Sequence, residues 1–493
     1  MRVNRVRGAL LLCAACAAGD ASSAVPPDDE LPPAVSAALQ RAQIPDAAVG
    51  LLVQRVGAGE RPLPADSNAA RAVVRTVPVL LALHADRAMN PASTMKLVTT
   101  YAALELLGPA HTWKTVLATT AAQNGASLDG DLYLRGAGDP KLVLEHLWLM
   151  LRQLRDRGIR TIRGDVVLDR SLFEPIPYDP AAFDNEPFRP YNVGPDALLL
   201  NFKALTLRFV PDDSRREVRV SVEPPLADFA VGPIAWADGP CGDWRQRAAA
   251  DLSRTDQIAF AGSYAGACGE QTWNVSVLDH RQYDAGLLRN LWTELGGTLV
   301  GGVRDGTMPA DARVLVEHES PSLAEVVRDI NKYSNNVMAR ELFLSVAAET
   351  TRMPANADRA QRAVRGFYAG RGIALPDLVI DNGSGLSRRE RISARSMGAV
   401  LEAAWASPVM PEFVSSLPLV GFDGTMRKRL NQQQVAGQAH IKTGTLADTR
   451  AVAGYVLAAS GRTYVVVLFV NHPNAGGALA AQDALLQWVY DRG

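Results

Sequence analysis

Apolar and polar positions divide the chain into three textures. Ala47 to Val56 is apolar and β-branched, which predicts a strand, and a second β-rich run follows a polar loop at Ala72 to Leu83. Asn90-Pro91 predicts a helix start, with the asparagine as cap and the proline in the first turn. Leu97, Tyr101, Leu104 and Leu107 recur at helical spacing before Gly108-Pro109 ends the element. From about Thr115 to Glu317 the texture changes to short strand-like runs between turn clusters. They include Gly130 to Gly138, Thr161 to Leu168, Leu205 to Val210 and Glu217 to Val222, with one helix-like segment at Leu142 to Arg157. Helical period returns at Ser322 to Ile330 and again at Val337 to Ala348. Ala451 to Ala458 and Thr463 to Val470 read as a hairpin turning at Ser460-Gly461, and Gly477 to Tyr490 as a closing helix.

Strands at both ends around a helical middle predict an α/β sandwich whose sheet gathers N- and C-terminal strands. The β-rich stretch is then an insert with its own small core. A chain of 493 residues exceeds what one core supports, so more than one domain is expected.

Composition narrows the function. The chain is 47% hydrophobic and 21% charged with a formal net charge of -1, so nothing points to a nucleic-acid partner. Arg2, Arg5 and Arg7 precede the apolar run Gly8 to Ala18, and Ser22-Ser23-Ala24 offers a cleavage point before Val25. Residues 1–24 therefore read as an export signal, the alternatives being a membrane anchor or lipidation at Cys16. The apolar run falls far short of the ~20 residues a membrane span needs, so at most peripheral membrane association is expected. Val25 to Pro33 is proline-rich and acidic and reads as a flexible leader. Cys241 and Cys268 remain in the exported chain, and an oxidising compartment favours a disulfide over two free thiols. No HExxH and no CxxC occurs after Val25, so neither a metal site nor a cofactor is expected.

Three short motifs carry candidate chemistry. Ser93-Thr94-Met95-Lys96 is the chain's one SxxK, in the first turn of the capped helix, where positions i and i+3 share a face. A serine becomes a nucleophile when a base takes its proton, and a lysine is such a base once burial and a neighbouring charge depress its pKa. Ser334-Asn335-Asn336 is an SxN between two helices: its serine can relay a proton and its asparagine can hold a peptide backbone. Lys442-Thr443-Gly444 lies on a strand leading into the final hairpin. There Lys442 can attract a substrate carboxylate, Thr443 offers a hydroxyl, and Gly444 allows close approach. Only seven lysines occur in the whole chain, which makes two of them in such motifs more telling.

With these motifs in this order the sequence resembles the class C low-molecular-mass penicillin-binding proteins. This is the D-alanyl-D-alanine carboxypeptidase/endopeptidase family of the penicillin-binding protein 4 type, peptidase family S13. The stretches Leu134 to Pro140, Gly164 to Asp169, Tyr191-Asn192-Val193 and Asp381 to Arg388 agree with it. The resemblance implies a serine β-lactamase/transpeptidase-like sandwich split by accessory domains. Expected boundaries are 25–115 and 318–493 for the catalytic domain and 116–317 for the insert. It implies a periplasmic enzyme acting on peptidoglycan peptides and acylated by β-lactam antibiotics. It further implies Ser93 as nucleophile, Lys96 as base, and Ser334 and Asn336 in proton transfer and substrate binding. Lys442, Thr443, Gly444 and Thr445 would hold the terminal carboxylate and backbone, with the Ser93 and Thr445 amides as oxyanion hole. An acidic residue of the insert and an arginine hold the end of a diaminopimelate side chain in such enzymes. Asp169 and Arg388 are expected in those places, with Phe173 as an apolar wall. Ala447 stands where some relatives carry a glutamine, so one polar contact is missing.

Two rival functions use the same motifs. A serine β-lactamase needs an efficient deacylating base, and no ExxLN segment supplies one. A non-catalytic wall-binding protein has no use for Ser93, Lys96 and Lys442 together.

Overall fold

The computed structural model describes residues 30–57, 78–175 and 177–493. The expected export signal, with Cys13 and Cys16, and the run from Ala72 to Val77 lie outside the described residues.

A five-stranded antiparallel sheet takes strands from both ends of the chain, in the order Val79–Leu83, Val49–Arg55, Thr463–Asn471, Thr449–Leu457 and Ala439–Leu446. Its central strands are apolar at successive positions because both faces are covered. Val465, Val467 and Phe469 pack with helices Met95–Leu107, Leu323–Tyr333, Asn336–Thr351 and Ala394–Ala406. Val466, Leu468 and Val470, pointing the other way by the period of two, pack with helices Pro33–Arg41 and Leu479–Arg492. Each such side chain contributes roughly 1.5–3 kcal/mol of burial. The first of those helices begins inside the stretch expected as a flexible leader: Pro32 and Pro33 open it. Ala357–Gly370 and Ala394–Ala406 add helices that periodicity did not bring out.

The chain leaves this sandwich along Lys114–Thr119 and returns along Arg313–Glu319, an antiparallel pair in which Lys114 faces Glu319. The residues between them gather into a separate hydrophobic cluster running from Leu117 to Val316. Strands Val303–Asp305, Val166–Asp169, Leu132–Arg135, Lys114–Thr119 and Arg313–Glu319 form its largest sheet. Leu144–Asp156 is the expected helix, but His280–Glu294 is a second one, which corrects the expectation of a single helical segment. An Asp279–Gln282 capping box starts it, and Tyr283, Leu287, Leu288 and Leu291 are buried along one face. Polar residues and Gly286 among them blur the apolar period. Cys241 and Cys268 are joined by a disulfide, with Cα atoms 4.6 Å apart. No helix among the described residues is long and apolar enough to cross a membrane.

Candidate active site

The nucleophile helix opens with a 3-10 turn, Ala92–Thr94, that runs into Met95–Leu107. Asn90 builds this turn: its Oδ1 accepts from Ala92 N at 2.9 Å and its Nδ2 donates to Ser387 O at 3.0 Å. Asn471 grips the Asn90 backbone from the central strand through both a donor and an acceptor. Ala92 is held at φ 46, in the left-handed region that a residue with a Cβ rarely adopts. Such strain persists only where surroundings enforce it, and here it aims the next residue, Ser93, at a cleft. Gly385 makes the turn possible, since a Cβ there would lie 2.0 Å from Ala92 O.

Lys96 lies one turn on and is wholly buried. Its Nζ donates to Ser93 Oγ at 3.1 Å, to Asn336 Oδ1 at 2.6 Å and to Ser384 O. All three acceptors are uncharged. Loss of hydration, then the Lys442 and Arg340 charges, hold the Lys96 amine well below the usual lysine range, with Glu390 opposing. Glu390 is itself buried, and its Oε1 accepts from the amides of Asp381, Asn382 and Gly383, shaping the loop that presents Ser384 O.

Ser334 caps helix Leu323–Tyr333 at φ 57, again left-handed, and Asn336 starts the following helix. A Gly is usual at such a cap. Here the serine hydroxyl accepts from Lys442 Nζ at 2.8 Å. Lys442 also donates to Thr443 O at 2.7 Å, and burial brings its pKa down to about 7. The strand Ala439–Leu446 is an edge of the main sheet. Ile441 N donates outward to Pro418 O, so by strand alternation the amides of Thr443 and Thr445 also point outward, along the cleft. Gly444 also makes room within the site: a Cβ there would lie 2.8 Å from Pro91 O and 3.0 Å from Ala92 Cβ. Its missing side chain lets the strand press on the nucleophile turn.

These elements enclose a cavity of about 470 Å³ lined by Ser93, Ser334, Asn336, Thr443, Thr445 and Arg388, among others. Arg388 is half-exposed; it donates to Asp448 at 3.4 Å, and its guanidinium lies 4.6 Å from the Phe183 ring centre. Asp169 and Phe173 are not brought to this cavity. Asp169 ends a buried strand at 2% exposure, and its two oxygens accept from Ser171 N and Met308 N, a structural use of the carboxylate. Phe173 is buried against Gly138, in the core. The insert instead sends Phe183, Asp184 and Tyr191 to the cavity. Asp184 accepts from Tyr191 OH at 2.9 Å and Asn192 Nδ2 at 2.8 Å. Buried Arg340 donates to Val193 O at 2.8 Å and so fastens this segment to helix Asn336–Thr351. Tyr191-Asn192-Val193 was visible in the sequence as a stretch; its loop position gave no sign of facing the serine.

A serine hydroxyl on a buried, charge-depleted lysine, facing a second serine–lysine pair across a peptide-sized cleft, defines an active-site-serine acyl-transfer enzyme. The family model described as D-Ala-D-Ala carboxypeptidase 3 (S13) matches residues 62–491, and the chain belongs to that family of serine D-Ala-D-Ala carboxypeptidases. It is 31% identical over 417 residues to a D-alanyl-D-alanine carboxypeptidase of Actinomadura sp., covering 80% of this chain and 76% of that one. To the D-alanyl-D-alanine carboxypeptidase DacB of Haemophilus influenzae it is 26% identical over 391 residues, covering 79% and 81%. The fold matches the crystal structure of penicillin binding protein 4 (dacB) from Haemophilus influenzae with a TM-score of 0.76 at 22% identity, over 93% of this chain and 99% of that one.

Proposed function

We propose that this carboxypeptidase works outside the cytoplasm on peptidoglycan stem peptides and their cross-links, through an acyl-enzyme on Ser93. The observation that carries the reading is Lys96: wholly buried, 3.1 Å from Ser93 Oγ, with no carboxylate in contact. An amine so placed is neutral and takes the serine proton as Oγ bonds to the penultimate D-alanine carbonyl carbon. The Ser93 amide and the outward Thr445 amide stabilise the oxyanion. The C–N bond then breaks as the Ser334 hydroxyl, oriented by Lys442, relays to the leaving amine the proton that Lys96 took from Ser93. Water hydrolyses the ester and regenerates Ser93. Lys442 and Thr443 receive the terminal carboxylate of a carboxypeptidase substrate, while the open edge of the strand admits the longer chain of a cross-link. A solved relative carries a β-lactam in a complex, and the same serine here is expected to be acylated by penicillins.

Substrate choice is assigned to the rim. Asp184 and Arg388 set a carboxylate and a guanidinium on one cavity, complementary to the ammonium and carboxylate of a diaminopimelate end, with Phe183 and Tyr191 as apolar walls. Asp184→Asn and Arg388→Ala should each lower kcat/KM for a diaminopimelyl-D-alanyl-D-alanine peptide about ten- to a hundredfold, the worth of one charge-assisted contact. Benzylpenicillin lacks that end group, so its acylation rate should change far less. Equal losses on both reagents would remove these residues from substrate reading.

A further inference from the structure

A second cleft, of about 850 Å³, lies between the insert and Pro354. The segment that walls the catalytic cavity also lines this cleft. Tyr178, Pro187, Phe188 and Val193 line this cleft, whereas Phe183, Asp184 and Tyr191 line the catalytic one. One segment therefore lines both cavities.

The walls suit a neutral, hydroxyl-rich ligand. Tyr178 and Phe188 offer rings; Tyr178 packs across Gly194, where a Cβ would come 2.7 Å from the ring, and lies under the Arg340 guanidinium at 5.5 Å. Pro175, Pro180 and Pro187 add rigid apolar surface. Two cations, Arg170 and Lys203, and four carboxylates, Glu174, Asp196, Asp279 and Asp305, line the cleft, so its wall is net acidic. Arg170 pairs with Asp196, Asp284 and Asp305, Glu174 pairs with Arg359, and Lys203 donates to Leu278 O. The accessible polar groups are carboxylates: Asp305 and Glu174 are half-exposed and can accept hydrogen bonds from a ligand. Stem peptides carry free carboxylates and would meet the carboxylates of Asp305, Asp279 and Glu174 at the rim. N-acetylated sugars carry no charge, stack their C–H faces on aromatic rings, and offer hydroxyl and acetamide donors to the rim carboxylates.

We propose that this cleft binds the N-acetylated glycan strand of the wall polymer, holding the sugars while the attached peptide enters the Ser93 cavity. The inference rests on the wall-peptidase reading above.

The test uses the full chain with Ser93 first blocked by benzylpenicillin, so that only the second cleft is free. An N-acetylglucosamine tetramer is titrated by calorimetry, in parallel with a free stem tetrapeptide. Saturable binding of the tetramer, and none of the peptide, is expected. Phe188→Ala removes a ring and Thr307→Trp fills the cleft from an exposed position; each should weaken the tetramer about tenfold or more. The second variant deletes nothing from the core, and the Tm of each reports folding. Absence of tetramer binding to blocked wild-type protein, binding that Thr307→Trp leaves intact, or preferential binding of the peptide would overturn the proposal. Failure of penicillin to acylate Ser93 would instead count against the enzymatic reading, so the two failures are separable.

Discussion

Asn336→Asp changes one atom in a short contact of the proposed base. Asn336 Oδ1 accepts from Lys96 Nζ at 2.6 Å, and the variant puts a carboxylate oxygen in its place. A unit charge pair at that distance attracts by about 6 kcal/mol at an effective dielectric of 20. Burying a second charge takes back part of this, and a close opposite charge commonly moves a pKa by about one to three units. The sign is upward: the carboxylate favours protonated Lys96, whereas only the free amine accepts the Ser93 proton. The free base of Lys96 is therefore reached only at a pH about one to three units higher than in the wild type. The assay is the second-order rate constant of benzylpenicillin acylation as a function of pH, whose rising limb reports the base in the free enzyme. That limb should move one to three pH units higher in Asn336→Asp, with the rate approaching wild type at high pH. Asn336→Leu, which removes the acceptor without adding charge, should lose rate without any upward movement. A limb that stays in place in Asn336→Asp, or moves down, would refute Lys96 as the base.

Lys442→Met should raise stability near neutral pH, by on the order of a few kcal/mol. Burial lowers the Lys442 pKa from 10.5 to about 7, so between these values the unfolded chain binds the extra proton and wild-type stability rises with pH. Urea unfolding at pH 7 and pH 9 should show a smaller rise in the variant, and an identical pH dependence would contradict the buried, readily deprotonated amine. Gly444→Ala should destabilise by about 1–3 kcal/mol and slow acylation, because the new methyl meets the Pro91–Ala92 turn. A wild-type Tm together with a wild-type acylation rate would show that the strand does not brace the nucleophile.

The chemistry was legible where it is local. Ser93 and Lys96 share a helix turn, Lys442 sits on a strand with alternating apolar neighbours, and Ser334 fills the break between two periodic segments. What joins them is not local. Ala92 adopts its left-handed backbone because Gly385 and Gly444, far along the chain, leave it room. Asp169 is expected as a substrate ligand from the family resemblance, but two backbone amides of neighbouring loops take its oxygens. Asp184 lies in an irregular segment with no period to mark it, and its position depends on Arg340 binding Val193 O from another element. The sequence signals the His280–Glu294 helix through its Asp279–Gln282 capping box, while Gly286 and polar residues interrupt its apolar pattern.

The most direct test of the account is mass spectrometry of the intact protein after brief exposure to benzylpenicillin. It should gain one covalent adduct, mapped by peptide analysis to Ser93, and Ser93→Ala should gain none while keeping its Tm. An adduct on another residue, a persistent adduct in Ser93→Ala, or no adduct in wild type would contradict it.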